Sequence, residues 1–246
     1  MKAIEYKTIA KYYDHIMSHV DYKFWAHYIF DIINKYFSQN KINNILEIAC
    51  GTGEFSIFFQ KLLNKKIIIS DKSLEMLKIA KNKKNITNKI VCCDMQYLPF
   101  KQKFDLILAL YDSVNYILSE DDFINFLKQI KKILSHDGIF IFDITTIKNS
   151  KKYFYNEVYT ESFDNFFYDR HSFFDENELI QYNKFKFYFD EYTAEETHKQ
   201  KIFYHRNIKK FIKKANLKLI DALGDFKFIK GNNNSYRVHY IIKNYD

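Results

Sequence analysis

Residues 45–56 read ILEIACGTGEFS, and this stretch decides the fold. Ile45, Leu46 and Ile48 make a short apolar run bounded by turn residues, the pattern of a buried strand. Glu47 lies within it. Cys50-Gly51-Thr52-Gly53 follows, and a helical pattern runs over about 53–64. Glycine takes positive φ without penalty and lets backbone approach a ligand closely. A strand that turns through two glycines into a helix is how nucleotide-type cofactors are held at the carboxyl edge of a parallel sheet.

Downstream, apolar runs at 66–70, 89–93, 104–110 and 139–144 predict further strands, the first ending at Asp71 and the second at Asp94. Between them, 73–83 and 121–134 have helical spacing; the second starts acidic and finishes basic, which suits its dipole. His136-Asp137-Gly138 reads as a turn. A late helix at 208–215, a strand at 217–222 and a run at 235–243 complete the pattern. No helix separates the last two runs, so the final strand should be antiparallel. Alternating strands and helices imply right-handed crossovers and a doubly wound, mostly parallel, seven-stranded Rossmann-like sheet.

Two segments stand outside the alternation. Residues 4–37 read as helical, with a break at Ser18-His19-Val20-Asp21 and Asp21 as N-cap, and could fold over the cofactor crevice. Residues 150–205 are rich in Phe and Tyr, with alternating runs at 157–163, 166–173, 179–189 and 192–204. These predict an antiparallel β lid inserted at the sheet end that holds the glycine turn. The chain therefore divides into 1–149 (N-terminal helices and cofactor-binding core), 150–205 (lid) and 206–246 (the rest of the core).

Composition narrows the partners. A net charge of +8 raises nucleic acid, but the cations are Lys spread along the chain, with Arg only at Arg170, Arg206 and Arg237. Nucleic acid is disfavoured. No apolar run is long enough to cross a membrane, and the N-terminus lacks a signal-peptide core. Cys50, Cys92 and Cys93 suit neither a disulfide framework nor a zinc site, so a reducing cytoplasm and no metal are expected. A monomer or homodimer is expected.

The chemistry lies in three acids. Glu47 falls near the first strand end, Asp71 at the second and Asp94 at the third, where one ligand across the crevice would meet them all. A carboxylate about 20 residues past the glycines suits a ribose diol; one at the third strand suits an adenine amino group. For a dinucleotide, Ser56 would be the third small position after Gly51 and Gly53, a partial match that sets Glu47 beside a pyrophosphate. A cofactor with adenosine, no phosphate, a cationic centre and an amino group fits better: S-adenosylmethionine.

Five motifs in order make the likeness specific. LEIACGTG, IIISDKSLEML, CCDMQYLPF, FDLILALYDSVNYI and HDGIFIFDI resemble the successive strand motifs of class I S-adenosylmethionine-dependent methyltransferases. The resemblance implies that Glu47, Ala49 and the Gly51 and Gly53 backbone serve the methionyl end. It implies Asp71 at the ribose with Met76 nearby, Asp94 and Met95 at the adenine, and Leu110 at the fourth strand end. YYDHIMSHVDYKFW is similar to the N-terminal stretch of a bacterial subgroup with an inserted β-sheet lid, which includes amino-sugar N,N-dimethyltransferases. That narrower likeness adds Tyr13 and Trp25 as cofactor contacts, although both lie on apolar helix faces where core packing is the usual role. Where some relatives carry Arg in the lid, this chain has Lys201, and Tyr111 replaces a smaller residue before Asp112-Ser113.

On the acceptor side, Tyr111, Asn115 and Tyr116 follow the fourth strand, and a helix-start packing role is open for the last two. Glu196, His198 and Gln200 share one strand face. His198 is a candidate general base or a structural histidine, and Tyr13 a second group to take or orient a proton. The expected reaction is in-line methyl transfer to an N or O nucleophile of a small molecule, accelerated by orientation and exclusion of water. An RNA or tRNA base methyltransferase, or a non-catalytic S-adenosylmethionine-binding module, are the alternatives.

Overall fold

The computed structural model describes residues 6–37, 41–83, 89–163 and 166–244. At its centre strand β1 (Ile45–Ile48) is buried at every position, Glu47 included. It pairs in parallel with β2 (Ile68–Asp71) on one side and β4 (Phe104–Ala109) on the other. β3 (Lys89–Cys92) extends the first side, and β5 (Leu134–Thr145) the second. Then come β11 (Arg237–Asn244), antiparallel to β5, and β10 (Leu217–Gly224) at the edge. The order β10-β11-β5-β4-β1-β2-β3 is the doubly wound sheet with an antiparallel last strand that the alternation implied. Chain order reverses between β1 and β4, and such a switch point opens a crevice outside the carboxyl ends of the strands.

Helices cover both faces. On one lie α2 (Tyr22–Tyr36), α3 (Glu54–Leu63) and α4 (Leu74–Asn82), which bury Ile29, Phe59 and Leu77 against Leu106, Leu108 and Ile141. On the other, α5 (Glu120–Ile133) and α7 (His205–Lys214) bury Phe123, Phe126 and Phe211 against Phe140 and Phe142. Their starts are written in the sequence. The side chain of Asp21 accepts from Phe24 N at 2.8 Å, that of Ser73 from Met76 N at 3.3 Å, and that of Ser119 from Asp122 N at 3.1 Å. Each such cap is worth about 1 kcal/mol.

Three local expectations change. The N-terminal stretch is a 3-10 turn, Ile9–Tyr12, and the short α1 (Tyr13–Ile16) before α2; positions 4 and 5 lie outside the described residues. β3 stops at Cys92, so Asp94 sits in the following turn. β5 begins at Leu134 and runs through His136-Asp137-Gly138, because β4 shifts register between Phe104 and Leu106 to stay paired. Gly138 permits that approach: a Cβ there would sit 2.8 Å from the Phe104 carbonyl oxygen.

A short helix, α6 (Ile147–Tyr153), leads from β5 into the second sheet. β6 (Asn156–Phe163), β7 (Phe166–Asp175), β8 (Ile180–Phe189) and β9 (Thr193–Lys201) pair antiparallel in sequence order. Period-two alternation turns Phe166, Tyr168, Phe185 and Phe187 to one face, where they pack on Ile9 and Ile16 of the N-terminal stretch. The far end of this sheet is tied to the core. Asn115 Nδ2 donates to the Lys201 carbonyl at 2.7 Å, and its Oδ1 accepts from Thr145 N at 3.1 Å. Among the described residues no helix is long and apolar enough to cross a membrane.

Candidate active site

A cavity of about 1140 Å³, part of it open to solvent, lies over the β1–β4 switch point and beneath the N-terminal stretch. The turn after β1 shapes its floor. Ala49, Gly51 and Gly53 all take positive φ, at 55°, 55° and 77°. Gly53 N donates to the Cys50 carbonyl at 2.9 Å, and Gly53 then caps α3 in the left-handed conformation. Asp71 fastens the turn to the end of β2: it accepts from Gly51 N at 2.8 Å and from Ser73 N at 2.8 Å. So Asp71 both caps the loop and presents its carboxylate to the cavity.

The electrostatics of the wall are dominated by buried acids. Glu47 is 3% exposed. Burial pushes its carboxyl up to about 8; a hydrogen bond from Ser56 opposes that rise, and the Asp71 charge adds to it. Among the described residues no lysine, arginine or histidine pairs with Glu47. Burial also raises Asp71, against the pull of its backbone donors. A ligand that brings positive charge and hydroxyl donors between these two acids relieves both penalties. Asp94 accepts from Gln96 N at 2.9 Å on the same wall, beyond β3. The donor set therefore fits S-adenosylmethionine.

The structure brings most of the expected residues together. Glu47, Ala49 and Gly51 line the cavity at its β1 end, Asp71, Met76, Asp94 and Met95 along the β2–β3 side. Leu110, Tyr111 and Tyr116 line it after β4, with Tyr13 and Trp25 from the N-terminal elements. Burial raises the Tyr13 phenol well above its ordinary value, the neighbouring Tyr22, Tyr116, Tyr111 and Asp112 adding to this. It stays protonated, suited to orienting a nucleophile and not to taking its proton.

Three expected residues stand off the wall. Gly53 acts in the helix cap. Asn115 is fully buried and spends its amide on β5 and β9, the packing role left open for it. His198 is 2% exposed and lies behind Tyr6, ring centroids 4.5 Å apart, with Nε2 3.5 Å from Glu196 Oε2. The expectation that its ring faces an acceptor is corrected, because the N-terminal chain fills the space between.

Sequence reasoning passed over Tyr6 and Tyr22 on the wall and a buried ion cluster beside it. Arg237 binds Asp143 through Nη1 and Asp112 through Nη2, the latter at 2.7 Å, with its guanidinium 5.2 Å from the ring centres of Trp25 and Tyr111. The scarcity of Arg in a Lys-rich chain was the available signal, since Arg is the residue of buried, bidentate ion pairs.

Comparison with known proteins agrees with this geometry. The family described as "Methyltransferase domain" matches residues 45–138, from β1 into β5. The protein YqeM of Bacillus subtilis (strain 168) is 28% identical over 232 residues, 90% of each chain. The crystal structure of an S-adenosylmethionine-dependent methyltransferase from Clostridium acetobutylicum ATCC 824 is 26% identical and superposes with a TM-score of 0.82 over 98% of each chain. The sugar N-methyltransferase KedS8 from Streptoalloteichus sp ATCC 53650 shares the fold at 12% identity, with a TM-score of 0.77 over 100% of this chain and 95% of that one. With a methyltransferase domain over β1 to β5 and the fold of such an enzyme over nearly its whole length, this chain is an S-adenosylmethionine-dependent methyltransferase of class I fold.

Proposed function

We propose that this methyltransferase acts on the nitrogen or oxygen nucleophile of a small molecule, bound under the second sheet. The observation that carries the reading is the cavity wall beyond the acids: Tyr6, Tyr13, Tyr22, Tyr111, Tyr116 and Trp25. Aromatic faces hold apolar or cationic groups, and the phenols fix orientation. The N-terminal stretch brings Tyr6 and Tyr13 to the cavity wall, and the sheet β6–β9 backs that stretch through Glu196 and the Phe166 face. The sugar N-methyltransferase KedS8, which shares the overall fold, supports a nitrogen nucleophile. A cytoplasmic enzyme, monomeric or dimeric, fits a donor made in that compartment.

S-adenosylmethionine, when bound, supplies an activated methyl on a sulfonium. In the proposed assignment Glu47 faces its amino group, Asp71 the ribose hydroxyls, Asp94 and Met95 the adenine, and the Gly51 backbone the methionyl end. Met76 and Leu110 pack around it, and Tyr13 and Trp25 close over it. The protein's remaining work is to hold the nucleophile's lone pair in line and to exclude water. A tyrosine-lined wall with no cavity-facing histidine among the described residues suits a nucleophile that arrives with its proton already lost or loses it to solvent. The test is release of S-adenosylhomocysteine against a panel of small amines and hydroxyl compounds, run beside bulk tRNA. Turnover with a small compound is expected; turnover with tRNA alone would overturn the reading.

A further inference from the structure

Tyr6 stands on the cavity wall, seven positions before Tyr13 and outside every motif discussed so far. Its hydroxyl lies 2.5 Å from that of Tyr116. Its ring is edge-on to Tyr13 at 6.0 Å and tilted against His198 at 4.5 Å. Its φ is +62°, the left-handed region that a tyrosine adopts only when its surroundings enforce it.

What enforces it is a single carboxylate on the second sheet. Glu196, on the face of β9 shared with His198 and Gln200, is 4% exposed. Its Oε2 accepts from Tyr6 N at 3.0 Å, and its Oε1 accepts from Thr8 N and from Ile9 N, the latter at 3.1 Å. Three donors from one short stretch on one buried carboxylate make a clamp that joins chain segments 187 to 190 positions apart. Burial works against the Glu196 charge, but His198 and the Thr8 and Ile9 N–H groups outweigh it and hold the carboxyl below its ordinary value. The clamp is thus ionised at neutral pH. On the other side of the strap, the Ser73 hydroxyl donates to the Tyr6 carbonyl at 3.5 Å, linking it to the start of α4.

The result is that two phenols, one from the N-terminal strap and one from the turn after β4, meet at the cavity surface. A phenol both donates and accepts, so a paired set can receive an N–H or O–H from a third group. A nucleophile that gives its hydrogen to this pair has its lone pair turned away from it, into the cavity. We propose that Tyr6, paired with Tyr116, orients the acceptor nucleophile, and that Glu196 is the positioning residue that holds Tyr6 in place through the backbone of residues 6–9. This rests on the small-molecule reading above. The acceptor is then a group with both a hydrogen and a lone pair, a primary or secondary amine or a hydroxyl, and not a tertiary amine or thioether.

The experiment uses the full chain with a panel of small primary, secondary and tertiary amines and phenols as probes. S-adenosylhomocysteine release, S-adenosylmethionine binding by calorimetry and amide hydrogen exchange are measured for the native chain and for Tyr6→Phe, Glu196→Ala and Glu196→Gln. For a compound that the native chain methylates, Tyr6→Phe should lower kcat/KM at least tenfold and leave S-adenosylmethionine affinity within twofold. Glu196→Ala should speed exchange over residues 6–9 at least tenfold with a similar loss of kcat/KM. Glu196→Gln, whose amide keeps one accepting oxygen but turns its NH2 toward the remaining backbone donor, should recover part of both and fall between the native chain and the alanine variant. Unchanged kcat/KM in Tyr6→Phe, or a matching fall in cofactor affinity, overturns the assignment while the small-molecule reading stands. Native protein that binds cofactor but turns over no compound of the panel sinks that reading and this one together.

Discussion

Arg237 Nη2 lies 2.7 Å from Asp112 Oδ1, so a cation from the last strand locks the turn that follows β4. The same guanidinium binds the fully buried Asp143, which accepts from Tyr111 N at 2.6 Å and Asp112 N at 2.9 Å. Tyr111 and Asp112 both take positive φ, at 60° and 49°, and this network is what holds them there. Removing one partner of a buried ion cluster leaves charge uncompensated, at a cost of about 3–5 kcal/mol. Arg237→Ala should therefore lower unfolding stability by that order in urea titrations. Arg237→Lys, which keeps the charge but not the fork, should fall between. A loss below about 1 kcal/mol for the alanine variant would show the cluster to be solvated.

Glu47 predicts proton release on cofactor binding. In the free protein its carboxyl, raised to about 8 by burial, is largely protonated at neutral pH. A cationic ligand favours the ionised form, so affinity for S-adenosylmethionine should climb as pH rises toward 8 and level off above it, by up to about tenfold per pH unit. Calorimetry in two buffers of different ionisation enthalpy measures the released proton directly. Glu47→Gln should flatten the profile and weaken binding. The same group acts on the unliganded fold with the opposite sense. Between the ordinary value of 4.5 and about 8 the folded chain keeps a proton that the unfolded chain has lost, so this residue's contribution to stability declines as pH rises through that window.

Gly51 tests the turn. At φ +55° a side chain costs roughly 1–2 kcal/mol, although the nearest heavy atom to a new Cβ, on the Tyr13 ring, would be 3.8 Å away. Gly51→Ala should thus fold with slightly reduced stability, read by thermal unfolding. If the proposed assignment holds, it should also bind S-adenosylmethionine more weakly, because the new methyl group projects into the cavity that Gly51 lines.

Asn115 tests how the second sheet is held. Its loss leaves the Thr145 N–H and the Lys201 carbonyl without their side-chain partner, at about 1–3 kcal/mol for buried groups. Asn115→Ala should lower stability within that range and reduce methyl transfer to a small acceptor more than it reduces cofactor affinity. Equal losses in both would assign Asn115 to the cofactor side.

The alternation of strands and helices was legible because helix and strand periods differ and because a tight turn at positive φ takes glycine. Glu47, Asp71 and Asp94 could be picked out as acids at or just beyond three successive strands, and the structure gathers them on one cavity wall. The lid strands showed as alternation, and the buried face carrying Glu196, His198 and Gln200 followed from it. What sequence alone could not give was which groups from distant stretches share one point in space. Tyr6 reaches the wall because Glu196, 190 positions later, clamps its backbone; no local pattern encodes that. His198 read as a candidate base or a structural histidine, and its withdrawal behind Tyr6 is a fact of packing. Arg237, Asp143 and Asp112 lie on different elements and meet only when β11 inserts beside β5.

The aromatic face of the second sheet is sheltered by Ile9, Tyr12, Ile16 and Met17, which belong to the opposite end of the chain. During synthesis this shelter emerges before its sheet, so the two must wait for each other. A version of this enzyme trimmed at its start would bare a strip of phenylalanines and become sticky. Grafting the sheet onto another methyltransferase would succeed only if residues 6–17 travelled with it.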